Sequence, residues 1–548
     1  MAISKWPRPQ RDFKLTSNVI NPTKVRRQDS FGQHYILFDM ALGLIIQKAG
    51  LQSPQQGLVY IIILYVAFIA CKTLVRIFAS PLRRVPGPFW ARVTSFPIST
   101  ATVKGRRAQE LYKLHKQYGS VVRIGPNEVS IGDHRYYRPI YTGSNSIVKD
   151  PRFYAGATFV GHDNIFQMTN PNQHSARRRL SAVPYSLQSV ASFNPLVRKK
   201  AKDLAAKMLL GAKASPTRTI DAFDLCSRFS LEVICQAAFA MDLSAAKAKD
   251  DKIRLLMKAM DDSAKTLPIT SIMPWLGTTK LGRKIHGPIG LAFRQLVVWQ
   301  TLSREMVDHL IRVTASGAES TEKNLLAPLL NGVDSFLDRR LTKDELLEEA
   351  MGIMFAGSGT TSTTLTYLLY AISCPENAAV QSKLRDEVLS LPENDTLALR
   401  SSLYINAVIK ETFRLYPTII STLPRIVTQP FHLENITLPA GTVVGMQNYV
   451  HHRDPTIFPR PHDFRPERWL ESTKEMDLSL TPFSIGRRNC IGQNLAWEEL
   501  YLAVDAVMRG GFTLLMSNEM ESSDMEMEDR FNIAPKGRRL LLEVIPYS

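Results

Sequence analysis

Residues 481–500 read TPFSIGRRNCIGQNLAWEEL, and the fold turns on what this stretch does around Cys490. Gly486 and Gly492 bracket the cysteine, so the backbone can turn tightly and come close to a flat neighbour. From Ile491 the run IGQNLAWEELYLAVDAVM opens an amphipathic helical pattern, which places the sulfur at a helix N-terminus. Free backbone N–H groups and the positive end of the helix dipole lower a cysteine pKa there, and the thiolate is the form that ligates metal. A cysteine merely buried in the core is the plain alternative.

Outward from this stretch, the composition sets bounds. With 548 residues, 45% hydrophobic and 22% charged, the chain has room for a large catalytic domain with an appendage. Those fractions exclude wholesale disorder and a multi-span membrane protein. The net charge of +18 is unevenly spread: residues 1–90 hold twelve Lys/Arg against three Asp/Glu, half of the whole surplus. This excess flanks an apolar segment, which points to a membrane surface. No aromatic-interleaved basic stripe or zinc-finger spacing occurs, so no nucleic-acid partner is expected. The five cysteines (Cys71, Cys226, Cys235, Cys374, Cys490) form no CxxC pair, which argues against a disulfide framework and for a reducing compartment.

From Gly57 the chain runs GLVYIIILYVAFIAC without a charge and continues apolar to Phe78, with Lys72 and Arg76 able to snorkel. That is about the 20 residues needed to cross a bilayer. The expected organisation is a basic N-terminal segment at 1–56, a transmembrane anchor at 57–78, a proline-rich hinge at 79–90 and a catalytic domain at 91–548. A buried core helix is the alternative for 57–78. The first 30 residues are too polar for a cleaved signal peptide, and YILFDMALGLII (35–46) is a candidate second membrane contact. Lys72, Arg76, Arg83 and Arg84 follow the span, whereas only Lys48 and Asp39 lie in the twenty residues before it. The catalytic domain is therefore expected to face the cytosol. Pro81, Pro86, Gly87 and Pro88 stop any helix in the hinge. Beyond it, SVVRIGPNEVSIGD (120–133) reads as two strands about Gly125-Pro126, and helical periodicity dominates from about residue 170 to 415. Strands return at FHLENITLPAGTVVGM and RRLLLEVI. The fold class is mainly α with small β-sheets.

One run opposes its surroundings. FAGSGTTSTT (355–364) interrupts an apolar helical pattern with two glycines and hydroxyl residues, and a glycine costs about 1 kcal/mol against alanine in a helix interior. Either the helix breaks into a phosphate-cradling loop there, or it is distorted around something.

Phe483, Gly486, Arg488, Cys490 and Gly492 match the FxxGxRxCxG haem-binding loop of the cytochrome P-450 haem-thiolate monooxygenases, which this chain resembles over roughly residues 82–548. Chance would supply five such positions in on the order of 10⁻⁴ of chains of this length. The resemblance implies the P-450 fold, with haem b buried between two helices. It makes Cys490 the axial iron ligand through its thiolate, Arg488 a partner of a haem propionate and Phe483 a neighbour of the sulfur. In KETFRLYP, Glu411 and Arg414 lie three apart on one helical face, and FRPERW supplies Arg468, which in the family completes an ion-paired triad behind the haem. By spacing alone such a pair is a solvated surface bridge worth about 0.3 kcal/mol. In PNQHSARRRLSAVPYS, His174 and Arg178 resemble the family's propionate-binding WxxxR, with His in place of Trp. Three consecutive arginines leave that register open. Arg425, in STLPRIV, resembles a further propionate-binding arginine.

Ala356, Gly357, Thr360 and Thr361 resemble the [AG]GxxT[TS] part of the family's oxygen-binding helix. That helix passes over the distal haem face, glycine lets it approach the haem, and the hydroxyl of Thr360 takes the catalytic role of holding oxygen and relaying protons. Gly359 departs from the pattern, because the family usually carries an acid there. Glu348 and Glu349 lie roughly 15 Å up the helix axis, too far for direct relay.

The resemblance implies a monooxygenase that inserts one atom of O2 into a lipophilic small molecule. No GxGxxG with a ribose-binding acid and no GxxxxGK[ST] occurs, so electrons are expected from an NADPH-dependent flavoprotein reductase docked near Cys490, with Arg487 a candidate contact. FRPERWL and HHRDP look most like fungal microsomal members, many of which tailor terpenoids, polyketides or alkaloids. This implies an endoplasmic reticulum membrane location, single-pass. Phe355, Ile419, Ile420, Thr422, Leu423 and the NIFQMT loop are candidate pocket lining. A peroxygenase or isomerase needing no reductase, or a non-catalytic haem-binding membrane protein, are the alternatives.

Overall fold

Long amphipathic repeats become long helices through the middle of the chain. The computed structural model describes residues 54–142, 146–243, 247–278, 280–317 and 324–547. Its principal helices are α1 (Pro54–Leu74), α2 (Pro171–Ser181), α3 (Asn194–Ala214), α4 (Ala222–Phe239), α5 (Lys247–Ser263), α6 (Gly287–Ala315), α7 (Lys343–Ser373), α8 (Leu403–Leu415) and α9 (Gln493–Met508).

The N-terminal unit, which ends at Leu74, contributes α1. The stretch Val59–Ala79, with mean hydropathy 2.2, is long and apolar enough to cross a membrane, and none of its most apolar window is buried. The buried core-helix alternative therefore finds no support. The candidate contact at 35–46 lies outside the described residues.

The second unit begins at Val75. Ser80 caps the short turn Pro81–Arg84 by accepting from Leu82 N at 3.2 Å. Leu82 and Val85 are buried with Val129, Ile131 and Tyr137. Arg123 N donates to Pro86 O at 2.7 Å, which ties Pro86 to the strand that carries Arg123.

At the centre stands α7, 31 residues long. It starts on a capping box, in which Thr342 Oγ1 accepts from Glu345 N at 3.3 Å and the Glu345 carboxylate accepts from Thr342 N at 2.7 Å. It stops at Ser373, ahead of Pro375. It packs on α4 and meets α6, α8 and α9, while α3 packs on α9 and α5 on α6. Leu347, Met351, Met354, Leu365 and Leu368 of α7 are fully buried in this core. The helix runs unbroken through FAGSGTTSTT, which removes the phosphate-loop alternative.

The strands are short: β1 (Val121–Gly125), β2 (Glu128–Ile131), β3 (Ile147–Lys149), β4 (Thr219–Asp221), β5 (Arg425–Val427), β6 (Phe431–Leu433), β7 (Ile436–Leu438), β8 (Val443–Met446), β9 (Phe512–Met516), β10 (Met527–Arg530), β11 (Asn532–Pro535) and β12 (Leu541–Pro546). One sheet has the order β1-β2-β8-β5-β3 and another β4-β12-β9; β6-β7 and β10-β11 are hairpins. Among the described residues only β2 and β8 pair in parallel, with Val129 opposite Val444. Antiparallel β3 and β5 place Lys149 directly opposite Arg425. The pair β1/β2, the hairpin β6/β7, β8 and β12 fall where the sequence places strands. Of the others, β3, β4 and β5 have only three residues each and pair with distant strands, too short to show alternation.

Candidate active site

The cysteine loop is built by close approach. Cys490 N donates to Phe483 O at 2.9 Å, closing the turn. Gly486 has φ +75°, and a Cβ there would meet Thr142 Cα at 2.6 Å, so no other residue fits. A Cβ on Gly492 would stand 4.0 Å from Cys490 Sγ, leaving the sulfur clear on that side. The Cys490 side chain is exposed, although the protein around it is dense enough for desolvation to be the largest influence on its thiol. Burial pushes its thiol up, while N–H groups of Gly492 and Gln493 and the charge of Arg178 pull it down. The net shift is upward, against the lowered pKa expected from the helix terminus. That stabilisation is present, but desolvation outweighs it. Phe483 packs edge-on against Phe413, centroids 5.2 Å apart.

The arginine run resolves by its partners. Arg177 is fully buried and pairs with Asp334 at 2.7 Å and with Glu349. Arg178 instead reaches the cysteine loop, donating to Asn489 O at 2.8 Å and Asn489 Oδ1 at 3.0 Å. His174, one turn earlier, is buried. Desolvation lowers its pKa to about 3, helped by Arg488, Lys149 and Arg178, so the ring is neutral.

Arg488 donates to Met168 O at 2.7 Å and Thr169 O at 3.4 Å. Burial, then Arg425, lowers it to about 10. Arg425 donates to Tyr154 OH at 2.8 Å, with its guanidinium 4.9 Å from the Tyr141 ring centre. Lys149 joins them. Sequence reasoning missed it, because a lone lysine in a three-residue strand carries no signal. His174, Arg178, Arg425 and Arg488 thus come from α2, β5 and the cysteine loop into one basic neighbourhood, in which the groups press on one another's charge. The hydrogen bonds of Arg178, Arg425 and Arg488 go to carbonyls, a tyrosine and an asparagine, not to a carboxylate. Arg425 is buried and Arg178 and Arg488 are half-buried, and cations withdrawn from water without an acid are costly. Such a donor set, near an exposed cysteine, fits a cofactor that carries carboxylates and takes a thiolate ligand, as haem does. Among the described residues, no group of three His, Cys, Asp or Glu side chains could hold a bare metal ion.

Glu411, Arg414 and Arg468 are buried together. Arg414 donates to Glu411 at 2.8 and 2.9 Å, and Arg468 Nε to Glu411 Oε1 at 3.1 Å. Trp469 Nε1 adds a bond at 2.9 Å to Glu411 Oε2, a partner that sequence reasoning missed. The second half of Arg414 holds the carbonyls of His452, Pro461 and Asp463 at 2.7–3.0 Å. The pair read from spacing as a possible surface bridge is an interior clamp. A surface groove of about 860 Å³ beside it, lined by Arg465, Glu467 and Arg468, lies apart from Cys490.

On α7, Ala356 is exposed and Gly359 and Thr360 half-exposed in the middle of an otherwise buried helix. The hydroxyls bond back to the helix: Ser358 to Met354 O at 2.7 Å, Thr360 to Ala356 O at 2.6 Å and Thr364 to Thr360 O at 3.0 Å. Gly357 makes its close approach to α4, since a Cβ there would lie 2.6 Å from Ile234 Cδ1. A Cβ on Gly359 would lie 3.3 Å from Asn532 Nδ2 of β11. Glu348 is fully engaged. It accepts from Phe159 N at 2.7 Å, Val160 N at 2.6 Å, His162 N at 3.4 Å and Asn164 Nδ2 at 2.7 Å. Glu349 accepts from Ile165 N at 3.0 Å and from Arg177.

Of the candidate lining, Phe355 packs against Phe159 and Trp299, and Ile419 bridges to Asn532. Ile420 is fully buried, and Leu423 packs with the first sheet. Thr422 lines a cavity of about 440 Å³ with Phe153 and Phe531.

The family model for cytochrome P-450 matches residues 84–542. Similar proteins include the cytochrome P-450 monooxygenase orf2 of Aspergillus niger, 29% identical over 472 residues, covering 85% of this chain and 94% of that protein. The cytochrome P-450 monooxygenase aflV of Aspergillus parasiticus is 30% identical over 489 residues, with 86% and 93% covered. The N-acetyltryptophan 6-hydroxylase ivoC of Emericella nidulans is 27% identical over 500 residues, with 87% and 94% covered. Retinoic acid bound cyanobacterial CYP120A1 superposes with TM-score 0.67 at 17% identity, over 84% of this chain and 99% of that one, a likeness of fold.

Proposed function

The chain belongs to the cytochrome P-450 family, and from that premise we propose a membrane-anchored monooxygenase that oxidises a lipophilic small molecule of fungal secondary metabolism. The observation that carries this is the exposed Cys490 side chain on a loop held by Arg178, near basic side chains whose hydrogen bonds go to no carboxylate. Haem b held there by Cys490 and the basic side chains would supply oxygen activation, the chemistry that a thiolate ligand favours.

The chain's own residues do the rest. Cys490 is the ligand, and Arg178, His174, Arg425 and Arg488 hold the propionates. Arg178 also ties α2 to Asn489, next to the ligand, which fixes where the sulfur points. Phe483, packed on Phe413, gives the loop that carries the ligand an apolar support. The Glu411–Arg414–Arg468 clamp holds the chain behind the site and takes no part in the chemistry.

Thr360 is the catalytic residue of the distal side. Its hydroxyl proton is committed to Ala356 O, so its oxygen is free to accept from a ligand or a water. With glycine at 359, proton delivery passes through water held by the Thr360 oxygen instead of through a neighbouring carboxylate. The ring contacts of Phe159, Trp299 and Phe355 make the surroundings of α7 apolar, which is compatible with a lipophilic substrate. That one relative is a hydroxylase of N-acetyltryptophan supports an aromatic or similarly planar substrate class. An NADPH-dependent flavoprotein reductase supplies electrons at the face bearing exposed Arg487. The apolar helix at Val59–Ala79, followed by the basic residues Arg83 and Arg84, supports a domain facing the cytosol from an endoplasmic reticulum membrane.

The test is spectroscopic first. The ferrous CO complex of the wild type should absorb near the thiolate position, and Cys490→Ala should lose that band. A band retained in the variant refutes the ligand assignment. Turnover of lipophilic aromatic metabolites should require both NADPH and reductase; rates unchanged without them refute the monooxygenase reading.

A further inference from the structure

Lys149 is a buried cation that the roles above leave unused. Only 7% of it is exposed, and its ammonium has one hydrogen-bond acceptor, Phe166 O. The Tyr154 ring centre lies 4.2 Å away and that of Phe166 5.0 Å away. These are stabilising neighbours for a cation, but neither neutralises it. Strand register sets Lys149 directly opposite Arg425, and like charges facing each other across a ladder are destabilising. Burial, then Arg488 and Arg425, holds the Lys149 pKa well below the usual lysine range. Its neighbour Asp150 is turned away, bonded to Arg152 at 2.9 and 3.0 Å.

The same loop organises the set. Phe166 O receives Lys149, and Met168 O and Thr169 O receive Arg488. Tyr154 is shared, with its hydroxyl accepting from Arg425 and its ring beside Lys149. Three cations are thereby aligned by neutral groups alone, an arrangement whose cost is recovered only when an anion arrives.

We propose that Lys149 is a haem-propionate anchor, donating a charge-assisted hydrogen bond to a propionate carboxylate beside Arg425 and Arg488. The inference rests on the haem-thiolate reading of the site. No bond is made or broken: the lysine ammonium keeps its proton and pairs with the carboxylate. A carboxylate also relieves the repulsion between Lys149 and Arg425, so loss of the lysine charge weakens haem retention without altering the iron ligand.

The test compares holoenzymes of wild type, Lys149→Met and Lys149→Gln by the rate at which haem passes to excess apomyoglobin. The same proteins are also loaded with iron protoporphyrin dimethyl ester, whose propionates carry no charge. Both variants should lose haem about tenfold faster than wild type, the loss of one charge-assisted hydrogen bond. They should lose the dimethyl ester at the wild-type rate and keep the CO band of a thiolate-ligated haem. Variants that lose haem at the wild-type rate overturn the proposal. So does a difference that persists undiminished with the ester, which would mark Lys149 as a packing residue. A wild type without the thiolate CO band overturns the haem-thiolate reading itself, a separate result.

Discussion

Gly357 of α7 and Ile234 of α4 are in contact so close that a Cβ on the glycine would lie 2.6 Å from Ile234 Cδ1 and 2.8 Å from its Cγ1. Gly357→Ala gains roughly 1 kcal/mol of helix propensity but overpacks the helix interface at about 1–3 kcal/mol. A net loss of about 1 kcal/mol is expected in denaturant unfolding. Combined with Ile234→Ala, the loss should fall short of the sum of the singles, because the clash is shared. Additive effects would show that the glycine serves something else.

The Glu411 carboxylate accepts from Arg414, Arg468, Trp469 Nε1 and Arg465 N. Trp469→Phe should cost about 1–3 kcal/mol, the loss of one bond to a buried charge. Glu411→Ala strands two buried guanidiniums and should cost about 3–5 kcal/mol. Unfolding midpoints and the haem content of purified protein report both.

Glu349 has its pKa raised to about 7, burial being the largest cause and Arg177 opposing it. Its folded value lies above the unfolded 4.5. Its contribution to stability is therefore full below about pH 4.5 and is lost as pH rises through about 7. Stability should fall by a few kcal/mol across that window on this group's account. Glu349→Gln should flatten the pH dependence there. An unchanged profile would mean that another group titrates.

Thr360→Val keeps the side-chain shape and removes the hydroxyl that bonds to Ala356 O. Proton delivery should then fail more often, and hydrogen peroxide released per NADPH consumed should rise several-fold with little change in folding. Unchanged coupling would move the relay to Ser358 or to bound substrate.

Removal of residues 1–74 should release the protein from membranes and leave the domain folded, because the second unit begins at Val75. Removal to residue 90 also deletes buried Leu82 and Val85, each worth about 1.5–3 kcal/mol. That shorter protein should melt markedly lower. Equal melting temperatures would show that 79–90 is only a tether.

What was legible in the chain was local. The cysteine loop, the Glu411–Arg414 spacing and the Thr360 run each carry their meaning within a few residues. Arg177 and Arg178 could not be told apart, because the distinction is made by Asp334, Glu349 and Asn489, all distant in sequence. Lys149 gains significance only when β3 pairs with β5. The upward shift of Cys490 is likewise a tertiary effect, since desolvation depends on what surrounds the sulfur and not on the helix that follows it. Asn532 reaches α7 from a hairpin more than a hundred and fifty positions downstream, and no pattern announces it.

Glu348 grips the segment Phe159–Asn164 almost entirely through main-chain amides; Asn164 alone contributes a side chain. A carboxylate that reads peptide groups is indifferent to what those residues carry. Phe159, Val160 and His162 can be exchanged without loosening the grip, so the shape of the segment is heritable independently of its chemistry. Selection for a new substrate can therefore work on this segment's surface at little risk to its position, which makes it the natural place to begin redesigning the enzyme's preferences.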